Sequence, residues 1–139
     1  MNLNEIFEYE VVIKESHLDS FGHVNNAVYV QLYEEARWDF ITKNGFGLDV
    51  ILRDQVGPVL LDLKVRFKRE IKNRETIKIQ SQTLELINSK MMILEQKMIR
   101  VDGKIASDAV FTIGFFDMKS RRLIDAHPDW LKAVGIKRP

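Results

Sequence analysis

From Leu61 to Phe116 the chain carries little except strand-like sequence, and one helical stretch precedes it. Leu61, Leu63, Val65 and Phe67 alternate with Asp62, Lys64, Arg66 and Lys68, which gives one apolar face and one polar face. Lys72-Asn73-Arg74 interrupts the pattern, and Thr76 to Ile87 resumes it. Asn88-Ser89 reads as a turn, Met91 to Val101 as a further strand and Asp102-Gly103 as a hairpin turn. Lys104 to Phe116 is the last long strand, with Ala109, Phe111, Ile113 and Phe115 sharing a face. Gly114 inside it marks a bulge or a close approach of backbone. Successive strands with one apolar side fold as an antiparallel sheet whose apolar side must be covered.

The cover is encoded upstream. From about Ala27 to Lys43, Tyr29, Leu32, Tyr33, Ala36 and Phe40 fall on one helical face, and Gln31, Glu35, Asp39 and Thr42 on the other. Asn25 or Asn26 is a natural N-cap, and Asn44-Gly45 a stop. Phe7 to Ser16 reads as a strand, Leu18 to Asn26 and Gly45-Phe46-Gly47 as loops, and His127 to Val134 as a short helix with Pro128 in its first turn. The expected class is α+β, in one domain over residues 1–139. One helix covers one face of a sheet and leaves an edge exposed, so association of copies, as a dimer or tetramer, is expected.

Composition narrows the function. Hydrophobic residues make up 45% and charged residues 29%, enough for a packed core. The net charge is +1 and the basic residues are dispersed; the short cluster Lys119, Arg121, Arg122 reads as a solvated turn, so nucleic acid is not the expected partner. The absence of cysteine excludes disulfides, thiolate metal sites and cysteine nucleophiles. No apolar run spans a bilayer and the acidic start MNLNEIFEYE is unlike a signal peptide, so a cytoplasmic protein is expected. There is no G-x-S-x-G, P-loop or dinucleotide fingerprint, and Asp19, His23 and His17 lack recognised metal spacing.

The segment that carries chemistry is Asp19-Ser20-Phe21-Gly22-His23-Val24-Asn25-Asn26-Ala27-Val28-Tyr29. It sets an acid in a glycine-containing loop directly before a helix. A helix start offers unpaired amides and partial positive charge, which suits a carbonyl oxygen turning into an oxyanion. A carboxylate beside it can attack the carbonyl carbon or activate water. By itself an Asp in this position is commonly only a cap.

The wider pattern adds to this. Asp19-x-x-Gly22-His23-Val24-Asn25-Asn26-x-x-Tyr29, followed by Tyr33-Glu34-Glu35-Ala36-Arg37, resembles the hotdog thioesterases of the 4-hydroxybenzoyl-CoA thioesterase type. Its Gly-His-Val-Asn-Asn core is similar to the acyl-ACP branch, and Leu61 to Ile71 is similar to the family's first strand after the central helix. The resemblance implies a sheet wrapped round a central helix, active sites at a dimer interface, and hydrolysis of an acyl thioester to an acid and a thiol. It implies Asp19 as nucleophile or general base and the amides near Ala27 and Val28 as carbonyl donors. No cofactor is implied beyond the coenzyme A or ACP phosphopantetheine of the substrate, and fatty acid metabolism is the expected setting. Two departures leave the carrier open: the simple acyl-CoA branch usually has apolar residues where His23 stands, and plant acyl-ACP enzymes carry two such units. Glu70 stands where proline is common, and no function is attached to that change.

Other residues have paired readings. His23 orients substrate or bonds the loop acid, or is a structural loop histidine. Asn25 positions water or caps the helix. Phe21, Gly22 and Tyr29 belong to the substrate-binding set, though core packing also accounts for Tyr29. Glu34 is an acid reaching the site from the helix, or simply pairs with Arg37 one turn on. Lys68, Arg69 and Lys90 are candidates for the CoA phosphates, or ordinary solvated charges. Phe21, Leu32, Phe40 and Phe67 are expected to line an acyl tunnel. The rival readings are an enoyl-thioester hydratase or dehydratase, which also pairs an acid with a histidine, and a non-catalytic acyl-binding protein.

Overall fold

The computed structural model describes residues 2–137. The strands are β1 (Ile6–Val12), β2 (Val56–Phe67), β3 (Thr76–Leu86), β4 (Met91–Ile99), β5 (Ile105–Asp117) and the two-residue β6 (Arg122–Leu123). The helices are α1 (Asn26–Lys43), α2 (Leu48–Asp54) and α3 (Pro128–Ala133). All strand pairs are antiparallel, in the order β1-β3-β4-β5-β2, with β6 on β5. The sheet curls into a half-barrel around α1, the α+β hotdog arrangement that the sequence implies. β3, β4 and β5 form a meander, whereas β2 leaves α1 for the far edge of the sheet beside β5.

The helix forms where its apolar spacing requires. Tyr29, Leu32, Tyr33, Ala36 and Phe40 are buried against inward residues of the strands, including Ile79, Leu94, Met98 and Phe111. Asn25 is the cap, its side chain accepting from the Ala27 amide. Polar bonds fix how the helix is rotated on the sheet. The Tyr33 hydroxyl donates to Ser107 Oγ at 2.7 Å. Gln96, fully buried on β4, donates through Nε2 to the Tyr33 carbonyl and to Ser81 Oγ, and accepts from Arg37 Nη1. Buried polar groups are tolerated when they find partners, and these do.

Two expected strand bounds need correction, and one helix was not expected at all. β1 ends at Val12, and Glu15–His17 is a 3-10 turn whose His17 Nδ1 accepts from the Lys14 amide. Residues 48–54 form a helix with no side-chain cap on Gly47, too short to show a periodic face. β2 starts five residues before Leu61, with Gly57 and Pro58 inside it; Pro58 is tolerated because β2 is an edge strand.

The alternation in β2 also breaks. Leu60 lies opposite Ile113 and Asp62 opposite Thr112, so Leu61 is the extra residue of a bulge and leaves the face shared by Leu63, Val65 and Phe67. Its side chain turns toward Gly114, whose close approach is to β6: a Cβ there would stand 2.6 Å from Leu123 Cδ2. Leu60, Leu63 and Phe67 lie opposite Ile113, Phe111 and Ser107 on the helix-facing side, yet remain 41%, 42% and 55% exposed. One flank of the core is therefore open along β2.

Candidate active site

The acidic loop is a closed turn. Leu18 bridges Val24, the Asp19 amide donates to the His23 carbonyl at 2.7 Å, and the Gly22 amide to the Asp19 carbonyl at 3.0 Å. Gly22 adopts φ +78°, which favours glycine. Asp19 Oδ1 accepts from the amides of Phe21 at 2.9 Å and His23 at 3.1 Å, the Asx turn that a short acidic side chain favours. Oδ2 has no hydrogen-bond partner among the described residues. The Asn25 amide donates to the His17 carbonyl and anchors the loop's far end.

His23 and Val24 carry this loop to an open bowl of about 380 Å³, completed by Tyr29 on α1 and by Phe67, Lys68, Arg69, Glu70 and Ile71 at the end of β2. Asp19 lies beside this wall, joined to it through His23, and is half-buried. His23 Nε2 stands 3.8 Å from Glu70 Oε1, and both side chains are more than half exposed. The Tyr29 ring meets Phe67 edge-on at 4.8 Å between centroids. Burial, and next the charge of Glu70, push its phenol above the ordinary value.

The predicted residues separate on folding. Asp19, Gly22, His23, Asn25 and Tyr29 come together with Lys68 and Arg69 around the loop and bowl. The Ala27 amide donates to Asn25 Oδ1 at 2.8 Å and the Val28 amide to the Asn25 carbonyl at 2.9 Å, so both are engaged within the first turn. The Asn26 amide, between them and the loop, has no partner among the described residues. Lys68 Nζ sits 2.8 Å from Asp108 Oδ2, and Arg69 Nη1 donates to the Ile105 carbonyl, so neither cation is fully free. Lys90 does not join them: it lies in the β3–β4 turn, 3.6 Å from Asp125, and lines a small cavity with Trp130 and Leu131. Phe21 is 83% exposed at the loop tip, and Leu32 is in the core. Glu34 and Arg37 form no ion pair within 4.0 Å; both line a second cavity, at the other half of α1 with Phe40.

Glu70 is the residue the sequence reading passed over. Its sequence signals are the departure from the proline common at that position and an acid directly after the basic pair Lys68-Arg69, and only folding brings it to His23. Among the described residues no group of three or more His, Asp or Glu side chains could hold a metal, and no helix is long and apolar enough to cross a membrane.

The model of the thioesterase-like superfamily matches residues 13–134. The long-chain acyl-CoA thioesterase FadM of Escherichia coli is 28% identical over 116 residues, covering 83% of this chain and 86% of FadM. Among solved structures, YbaW from Escherichia coli, described as a probable thioesterase, superposes with a TM-score of 0.79 at 25% identity, covering 92% of this chain and 96% of that one. The SAV2348 protein from Staphylococcus aureus, solved in complex with CoA, gives a TM-score of 0.87 at 13% identity over 96% of this chain and 84% of that one.

Proposed function

The chain belongs to the thioesterase-like superfamily, and from that premise we propose that it hydrolyses acyl-CoA, or an acyl-ACP, at the junction of the Asp19 loop and α1. One observation carries the reading: an acid held by two amides, with one oxygen left over, abuts a helix start and a bowl that holds a histidine. In this reading the thioester carbonyl oxygen lies at the first turn of α1. The Asn26 amide is its first donor, and the Ala27 amide becomes a second if the Asn25 side chain lets go. A donor aimed at the developing oxyanion stabilises the transition state more than the ground state. Asp19 either attacks the carbonyl carbon or takes a proton from the attacking water. Collapse of the tetrahedral intermediate breaks the carbon–sulfur bond and releases the thiolate; where Asp19 was the nucleophile, water then opens the mixed anhydride to free acid and restores the carboxylate. In this reading a protonated His23, with Glu70 3.8 Å away, returns a proton to that sulfur. The net change is thioester plus water to carboxylic acid plus thiol. Arg69, and Lys68 where Asp108 releases it, face the carrier's phosphates.

The functional unit is an oligomer in this reading. β2 is an edge strand whose helix-facing apolar residues stay exposed, and pairing with the β2 of a second copy would satisfy both the edge and the face. The test of function is thiol release from acyl-CoAs, run beside hydration of crotonyl-CoA. Release of free thiol supports hydrolysis. Loss of the crotonyl double bond without thiol release would move the Asp19–His23 pair to a hydratase, and neither reaction would leave an acyl-binding protein.

A further inference from the structure

α1 has a second cavity at its other half. A partly open cavity of about 110 Å³ lies between α1, α3 and the strands β2, β4 and β5, with Met92, Leu94, Ile113 and Trp130 among its walls and Pro58 and Leu60 on the β2 side. Its two charged wall residues are Glu34 and Arg37. The Arg37 guanidinium lies 4.5 Å from the Phe111 ring centroid and donates once, from Nη1 to Gln96 Oε1 at 3.0 Å. Its remaining N–H groups have no acceptor among the described residues, and no carboxylate lies within 4.0 Å. Burial pulls this guanidinium below its ordinary value, and Glu34 opposes the shift. A charge held here without a bonded carboxylate has donors to offer to whatever enters the cavity.

We infer, resting on the thioesterase reading, that this cavity receives the acyl end of the substrate and that Arg37 and Glu34 make it selective for a short acyl group bearing a hydroxyl. Size sets the first half of the claim. An apolar cavity of about 150 Å³ takes up one benzene, so this one covers roughly four or five carbons, and a longer alkyl chain would run out onto the open β2 flank. Charge sets the second. One cation and one anion cancel, which disfavours an anionic acyl terminus. A plain alkyl group packed over Arg37 would take water from its free N–H groups and answer none of them. A hydroxyl both accepts from Arg37 and donates to Glu34. A site built to bond a hydroxyl rejects the analogue that lacks it, because its own polar groups are stranded.

Geometry assigns the cavity to the neighbouring copy's reaction centre. α1 and β2 run in opposite directions: Tyr29 meets Phe67, while Arg37 and Ile41 share a cavity with Leu60 and Pro58. The start of α1 and Arg37 are eleven residues apart, roughly 16 Å along a helix, beyond the reach of a short acyl group. Antiparallel pairing of two β2 edges would set the helix start of one copy beside this cavity of the other.

The test is thiol release from matched CoA esters: butyryl against 3-hydroxybutyryl, with palmitoyl as the length arm. We expect kcat/KM at least tenfold higher for 3-hydroxybutyryl than for butyryl, and palmitoyl slowest. Arg37→Met should bring the hydroxyl ratio close to one. Glu34→Ala, at an exposed helix position where folding is not at stake, should lower it at least threefold. Met92→Ala should raise octanoyl relative to butyryl turnover. Equal rates for the matched pair in the wild type, or a ratio that survives both Arg37→Met and Glu34→Ala, overturns the inference and leaves the thioesterase reading standing. A protein that releases thiol from no acyl-CoA overturns both.

Discussion

Substituting Asp19 two ways separates chemistry from turn-making. Asp19 Oδ1 accepts two amide hydrogens, at 2.9 and 3.1 Å, in a half-exposed loop. Asp19→Asn keeps an oxygen in that position and removes only the charge, so the turn should survive with a stability change within ~1 kcal/mol. Asp19→Ala removes both bonds, each worth ~0.5–1.5 kcal/mol, for a loss of about 1–3 kcal/mol. For a chain of this length that is a drop in Tm of roughly 3–10 °C for Ala, against about 3 °C or less for Asn. If the carboxylate is the base, both variants should lose ~10²–10⁴ in kcat, and more if it is the nucleophile. Thiol-release kinetics and melting curves on the three proteins decide the matter. An Asn variant that melts like the wild type and also turns over like it would refute the catalytic role and leave Asp19 as a turn-maker.

Two further outcomes follow from the geometry. Leu63→Lys sets a charge on the exposed helix-facing side of the β2 edge and should shift the mass in light scattering from dimer or tetramer toward monomer, whereas an unchanged mass would place the interface elsewhere. Asp108 is held below the ordinary carboxylate value of 3.8, first by the Arg66 hydrogen bonds and also by Lys68, with Lys97 opposite it on β4. A depressed folded-state pKa stabilises above the unfolded pKa and stops doing so as pH falls through the folded one. The Tm gap between wild type and Asp108→Asn should therefore be full at neutral pH and close below pH 3.8; a gap that stays constant down to pH 2.5 would contradict it.

How far the sequence can be read depends on whether a feature is local. α1 was legible because Tyr29, Leu32, Tyr33, Ala36 and Phe40 repeat at helical spacing over about three turns, with Asn25 and Asn44 at its ends. The loop was legible as a motif, but not the engagement of the Ala27 amide by the Asn25 side chain, which depends on its rotamer, nor that of the Val28 amide by the Asn25 carbonyl. Leu63, Val65 and Phe67 share a face as their spacing implies, but Leu61 was placed with them because period-two spacing does not reveal a bulge. α2 was invisible because seven residues give a helical period too little length to register. Glu70 and the cavity at Arg37 are long-range products: β2 crosses to the far edge of the sheet, and only that crossing sets Glu70 against His23 and Leu60 against α1.

Gln96 reaches across the core to a carbonyl of α1 while its other end holds Arg37. The helix is thereby latched at a single angular setting, like a shaft with a key in its slot. In this chain the loop cannot be re-aimed by swivelling the shaft without breaking that key. Exchanging the upholstery at Met92, Ile113 or Trp130 would instead reshape the second cavity while the working end stays where it is.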